Sequence, residues 1–486
     1  MHRLGQFLRY HMSGSGIPGL AVGIVEGSDV LWARGYGVAD LRRRIPVTAE
    51  TRFGIGSCTK AFTAAAIALL VEEGRLKWDE PLCKIVPGFR LHDDVASRCA
   101  SIRDLLLHRT GVPAHDLAVM TSPEPRAALL SRIPHLQASA GFRTAFQYSN
   151  LMYAVAGAVL EHVAGTSWER FVRNRIFTPL GMRHTGFSSE RQDPKRDVVG
   201  HAARLGGTVP WLQGWGCGNN LCAAVGQAYH PAGGIRASAY DLCRWLLANL
   251  NQGQLDGQRV LPAAQLLELH RPGIVIPPIL NEPELLDASY AMGWICQPYR
   301  GNRCFYHWGG GGADGNTSFL SFMPDRKLGL AVVMNIEAPP LVPAVMAFTI
   351  YDRLLGVEAV GWARRWRKII RRMKADFMAQ QEAANQPAGR VPKRIATALA
   401  GDYYHPGYGR IHIRRSAGGL ELQFNSLRFT MRDCGDGAFD LTPRVPLSWW
   451  GRRQARCQWS RGGKLQSLEV LFEPAIPNLA FRRRTR

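Results

Sequence analysis

The chain contains no uncharged apolar stretch of about 18 residues, the length that a membrane-spanning helix requires. It also has no Cys-x-x-Cys pair and no Cys/His spacing of the zinc-binding kind, although ten cysteines are scattered along it, so no metal site is expected. At the N-terminus His2, Arg3, Arg9 and His11 interrupt the apolar positions between Met1 and Ser13, which leaves no continuous segment of the secretion-signal type. The expected location is therefore the cytoplasm, where dispersed free thiols are at home, with a processed secreted form as the alternative. Acidic residues are scarce: 38 Asp and Glu stand against 60 Lys and Arg, a formal charge of +22. The basic excess is spread along the chain, with local concentrations at Arg364 to Lys374 and Arg482 to Arg486, and no nucleic-acid motif is interleaved with it. A solvated basic face is the plain reading, contact with an anionic surface is the alternative, and no nucleic-acid partner is expected.

What the chain does have is length and punctuation. Its 486 residues exceed what one hydrophobic core usually serves, so at least two domains are expected. Helix Leu4 to His11 is followed by a hairpin of Leu20 to Val25 and Asp29 to Arg34, and an Ala/Leu-rich run from Lys60 to Glu73 predicts a strong helix ended by Gly74. From Leu82 to about Leu285 the pattern is mostly helical, as at Leu151 to Val163 and Tyr240 to Asn249, and strand patterns return only after Tyr290. Phe319 to Met323 and Leu328 to Met334 flank Pro324-Asp325-Arg326-Lys327 as a second hairpin. Strands at both ends of a helical middle imply an α+β domain over residues 1–355, its antiparallel sheet covered by helices, with a mostly helical inserted subdomain. A helix over Leu341 to Leu355 would cover the sheet, residues 356–393 read as a charged helical linker, and short strands with Gly-rich turns over 394–486 read as a small all-β barrel.

Three short motifs carry chemistry. Ser57-Cys58-Thr59-Lys60 opens the Ala-rich helix, so the hydroxyl and the amine three residues on share a face, and a desolvated lysine can take a serine's proton. With 22 serines and nine lysines in the chain, about 0.4 chance Ser-x-x-Lys tetrads are expected, and one occurs. A serine at a helix start is otherwise often a cap. Tyr148-Ser149-Asn150 precedes the Leu151 helix: the phenol could relay a proton and the amide could grip a substrate carbonyl, the plain alternative being a helix-entry loop capped by Ser149 or Asn150. His307-Trp308-Gly309-Gly310 leads into a strand, and its glycines would let backbone N–H groups approach a ligand. His184-Thr185-Gly186 and His405-Pro406-Gly407 fit the same His-x-Gly pattern without leading into a strand that could line a cleft.

In this order and spacing the three motifs resemble those of class C β-lactamases, penicillin-binding proteins and their esterase and D-aminopeptidase relatives. Ile17 to Val22, Phe53 to Gly56, Ile102 to Gly111, Pro179 to Met182 and Pro231 to Ile235 extend the resemblance, which covers about residues 4–355, and Gly401-Asp402-Tyr403-Tyr404 onward looks like a lipocalin-like barrel. The resemblance implies a β-lactamase/transpeptidase-like fold and a serine hydrolase acting on ester or amide bonds through an acyl-enzyme. Ser57 would be the nucleophile, Lys60 and Tyr148 the proton-transfer pair, and Asn150, His307, Trp308 and Gly309 substrate-binding residues. His307 would serve as a cationic or hydrogen-bonding cleft residue, and the N–H groups of Ser57 and Gly310 would form the oxyanion hole. No metal or other cofactor is implied. The substrate is expected to be a small ester, amide or peptide, and assembly into oligomers is compatible with the family. The family's usual Thr or Ser at the middle of the third motif is replaced by Trp308, whose bulk would crowd a carboxylate subsite, or else Trp308-Gly309-Gly310 is itself the motif and His307 lies outside it. β-Lactam hydrolysis or D,D-carboxypeptidase activity is the alternative within the family, and a catalytically silent binding scaffold is the alternative outside it.

Overall fold

The computed structural model describes residues 2–201, 226–277, 282–310, 314–336, 341–358, 360–362, 364–365, 368, 391–416, 419–444, 453–462 and 465–484. Among them, the central feature is a nine-stranded antiparallel sheet that joins strands about 300 residues apart in the chain. Its middle pairs Gly19–Glu26 with Leu328–Met334, in the register Leu20 opposite Met334 through Glu26 opposite Leu328. The first hairpin, Gly19–Glu26 with Asp29–Asp40, flanks this seam on one side. On the other side Thr317–Met323, Asn302–Gly309, Trp294–Tyr299 and Ser289–Ala291 follow in turn. The seam strands are buried along almost their whole length because both faces are covered.

Helices His2–Ser15 and Leu341–Leu354 contribute Leu4, Leu8, Val345 and Phe348 to the cluster on one face, with Leu20, Val22, Leu330 and Val332 of the sheet. The other face carries Ala21, Val25, Ala331 and Val333 against the helices Thr59–Glu72, Asn150–Ala164 and Ala239–Leu250. The helix Thr59–Glu72 is buried nearly all round, as its Ala- and Leu-rich composition requires. Cys243 is the small apolar residue its pattern suggested: it is fully buried, its thiol is pushed up to about 12, and a Cβ on Gly23 would lie 2.4 Å from its Sγ.

The middle of the chain departs from the helical expectation. Thr185–Phe187 and Ile235–Ser238 are strands, and with Arg52–Gly54 they form a three-stranded sheet directly ahead of Ser57. Three or four residues buried on both sides carry no alternation of apolar and polar positions, so periodicity does not reveal them. The short strands Gln254–Leu255, Gln258–Arg259 and Ile274–Val275 also precede Tyr290.

After the helix Lys393–Leu399 the chain closes an eight-stranded antiparallel barrel from Gly401–His405 to Leu479–Arg483, Tyr403 pairing with Arg483 across the seam. Tyr403, Ile411, Ile413, Leu422 and Phe429 fill it in the period of two. The charged helical linker expected over residues 356–393 lies largely outside the described residues; Arg365 is described and pairs with Glu282 and Glu284 at 2.8 and 2.7 Å. In the basic C-terminus Arg483 donates to the carbonyls of Ala398 and Ala400 at 3.1 and 2.8 Å. No helix among the described residues is long and apolar enough to cross a membrane.

Candidate active site

Strand Arg52–Gly54 delivers the chain into a 3-10 turn, Gly56–Cys58, and then into the helix Thr59–Glu72. Ser57 sits in that turn, and neither turn nor helix is capped by a side chain, so capping does not account for the serine. Its Oγ lies 2.9 Å from Lys60 Nζ and accepts the Tyr148 hydroxyl at 2.7 Å. Lys60 is completely buried, and its ammonium contacts are Ser57, Asn150 Oδ1 at 2.6 Å and the carbonyl of Ala232 at 2.9 Å. Burial lowers its pKa to about 7, against a smaller upward pull from Asp116 and Cys58. The phenol of Tyr148 goes the other way, pushed well above its ordinary value by burial, so it is a neutral donor.

These contacts balance when Lys60 is neutral. Its two N–H groups serve Asn150 and Ala232, its lone pair faces Ser57, and the serine oxygen then accepts from Tyr148 while donating to the amine. Proton removal from Ser57 is thereby directed toward Lys60, and a donor already points at the oxygen that is left.

The second motif does two jobs at once. Ser149 caps the helix Asn150–Ala164, accepting from Met152 N–H and donating to the Pro113 carbonyl at 2.8 Å, so the capping alternative is correct for this residue. Tyr148 and Asn150 on either side of it reach the serine and the lysine. Asn150 is engaged at both ends, Oδ1 by Lys60 and Nδ2 by Asp116 Oδ1 at 2.7 Å, so a grip on a substrate carbonyl would rest on its second Nδ2 hydrogen.

The third motif is only partly where the sequence suggests. Strand Asn302–Gly309 turns His307 and Gly309 toward the serine side: Cys58 Sγ donates to the His307 carbonyl at 3.2 Å, and a Cβ on Gly309 would lie 1.9 Å from the Ile55 carbonyl. A Cβ on Gly56, whose φ is 47°, would stand 3.0 Å from Gly310 N, so the turn carrying Ser57 and the end of the strand meet through two glycines. Trp308 is turned to the opposite face. It stacks with Tyr306 and pairs with Phe319 under the helix Leu341–Leu354, and its indole therefore does not crowd a subsite beside Ser57.

His307 is not cationic. Burial and the neighbouring Lys60 lower its pKa to about 3. Its Nδ1–H is committed to the Trp308 carbonyl at 2.7 Å, and Nε2 accepts from the Tyr290 hydroxyl at 3.1 Å.

Four contributors lie outside the three motifs. His108, held at a φ of 56°, accepts Ser149 N–H on Nδ1 at 3.0 Å, and its ring lies 4.5 Å from that of Tyr148. Tyr290 holds His307, the Ala232 carbonyl holds Lys60, and Asp116 holds Asn150. The Ile102 to Gly111 and Pro231 to Ile235 segments, which carry part of the family resemblance, contain two of them; Asp116 and Tyr290 had no local signal. Among the described residues no group of three His, Cys, Asp or Glu side chains could hold a metal ion.

Comparison with known proteins finds relatives in sequence and in fold. The chain is 28% identical over 443 residues to the unguisins hydrolase ungD of Aspergillus violaceofuscus, covering 82% of this chain and 73% of that protein. It is 26% identical to the protein flp of Staphylococcus aureus over 66% of this chain and 60% of that protein. The octameric penicillin-binding protein homologue from Pyrococcus abyssi shares the fold over 99% of both chains, with a TM-score of 0.61 at 22% identity. The D-amino acid amidase from Ochrobactrum anthropi SV3 shares it over 68% of this chain and 90% of that one, with a TM-score of 0.54 at 23% identity. The description of the Beta-lactamase family matches residues 4–352, and the chain is a serine hydrolase belonging to that family.

Proposed function

We propose that this serine hydrolase cleaves esters or amides of small molecules and peptides through an acyl-enzyme on Ser57. The observation that carries the reading is the position of Ser57 Oγ between a buried lysine and a phenol, at 2.9 and 2.7 Å. Neutral Lys60 takes the serine proton as Oγ attacks the carbonyl carbon, and the carbonyl oxygen becomes an oxyanion facing the N–H groups of Ser57 and Gly310. The proton returns through Lys60 and Tyr148 to the leaving alcohol or amine, and water then releases the acid by the same steps in reverse.

Neither His307, held neutral, nor Trp308, on the far face of the sheet, offers a cation or hydroxyl for a substrate carboxylate. That favours neutral esters and amides over β-lactams and peptide C-termini. Amide cleavage is also consistent with the amidase named among the similar structures. The test is a fluorophosphonate probe followed by peptide mapping: labelling confined to Ser57 is expected, and labelling elsewhere, or none under conditions where the chain hydrolyses an activated ester, would overturn the reading.

A further inference from the structure

One of the three partners of Lys60, Asn150, is the start of a run of contacts that reaches the barrel. Each end of Asn150 is engaged, and the donor end rests on Asp116, the first residue of the short helix Asp116–Met120. The residue before it, His115, adopts a left-handed conformation, φ 45° and ψ 40°, which non-glycine residues adopt rarely and keep only where their surroundings hold them. Beside a backbone group of Gln137, two of the groups that hold His115 belong to the barrel. Glu473 accepts His115 N–H at 2.9 Å, and the Tyr408 hydroxyl meets His115 Nδ1 at 2.8 Å.

The barrel's topology explains the meeting. In an eight-stranded up-and-down barrel alternate turns share one end, and the turns after His405, Phe424 and Val470 are three of that set. All three touch the helical region: a Cβ on Gly407 would lie 2.5 Å from Leu136, Asn425 donates to Thr121 Oγ1 at 3.0 Å, and Glu473 reaches His115. Tyr408 and Glu473 are buried at this junction, the tyrosine packed among Phe424, Phe472 and Phe481. Glu473 is fixed in turn by Ala475 N–H on its other oxygen at 3.1 Å.

We propose that Asp116 is a positioning residue for Lys60, and that the barrel is a structural part of the active site because Glu473 and Tyr408 hold the His115–Asp116 turn in place. The inference rests on the acyl-enzyme reading above. The path is continuous: Glu473 and Tyr408 to His115, Asp116 to Asn150, Asn150 to Lys60, and Lys60 to Ser57. Asp116 acts by charge as well as by geometry, since its carboxylate favours the ammonium form of Lys60 while burial opposes it. The other ionisable groups around Lys60 are Cys58, His108, His307, Tyr148 and Tyr153; those around Asp116 are Tyr148, Tyr229, Tyr408 and Glu473.

The experiment compares pH profiles of kcat/KM for the full chain and its variants on one activated ester. Asp116→Asn keeps an acceptor for Asn150 and removes the charge, so the acidic limb should move to lower pH by about one unit. Glu473→Gln combined with Tyr408→Phe should lower kcat by about tenfold, with little change in KM, and should also move the limb. Tyr408→Phe alone keeps the ring packing and should give a smaller change in the same direction, which covers the case in which the double variant fails to fold. A purely structural junction would alter the melting temperature and leave the limb in place, and that result would overturn the proposal. Probe labelling of Ser57 in the unaltered chain separates the two readings: labelled protein with immobile limbs defeats this inference alone, whereas unlabelled protein defeats the acyl-enzyme itself.

Discussion

The two walls of the candidate site obey different periods. On the serine wall, residues three apart share a helical face, and Ser57 and Lys60 meet within 2.9 Å. On the opposite wall, successive residues of a strand face opposite ways, and of His307 and Trp308 only the first looks toward the serine. The same kind of tripeptide evidence is therefore worth more on a helix start, where spacing fixes proximity, than on a strand, where one residue of slip reverses the assignment.

The contrast is sharpest at Ser57. Ser57→Ala should abolish turnover of an activated ester while leaving the melting temperature nearly unchanged, because the serine caps nothing. Full activity in this variant would remove the serine wall from the mechanism. Next in size, Lys60→Ala and Tyr148→Phe should each lower kcat/KM by about 10² to 10⁴-fold, the usual worth of a positioned acid or base. Because both act on one proton, the double variant should fall far short of the product of the two losses; a multiplicative result would mean that they serve separate steps.

A pH profile compares the walls directly. Lys60 must be neutral to accept the serine proton, so kcat/KM should rise through a midpoint near 7, the value set by burial of the amine. His307, pushed down to about 3, stays neutral throughout that range and should add no limb of its own. Substitution of His307 by Gln should therefore leave the midpoint where it is, and a limb that vanished with His307 would exchange the roles of the two residues.

The smallest catalytic effect belongs to Trp308. Trp308→Thr, which would open a carboxylate subsite if the indole lined one, is expected to leave the ratio of carboxylate-bearing to neutral substrates unchanged. Its cost should appear as stability, about 2 kcal/mol for a partly buried aromatic stripped from its stack with Tyr306. A ratio that rose with threonine would put the side chain in the cleft after all.

Much of this was legible in the chain itself. The Ala-rich helix, the two hairpins, the helix after Ser149 and the short barrel strands all follow from local composition and period, and so do the pairing of Ser57 with Lys60 and the capping of the helix after Ser149 by that serine. Those are contacts within a turn, decided by covalent reach. The amino-acid sequence read alone did not separate the capping role of Ser149 from the site roles of its neighbours, because a cap and a ligand use the same polar side chains.

Tertiary structure decided the rest. The shift of Lys60 to about 7 comes from complete burial, a property of the whole surround rather than of any neighbour in the chain. His108, Asp116, Ala232 and Tyr290 enter the site from four separate segments, and the short strand at 235 exists because Arg52–Gly54 on one side and the strand at 185 on the other pair with it. The face that Trp308 presents depends on strand register, and the meeting of Glu473 with His115 depends on which end of a closed barrel is docked. Each of these is a contact between residues far apart in the chain. Local composition specifies the elements, but the burial, register and docking that give their side chains a chemistry are set only when the elements pack.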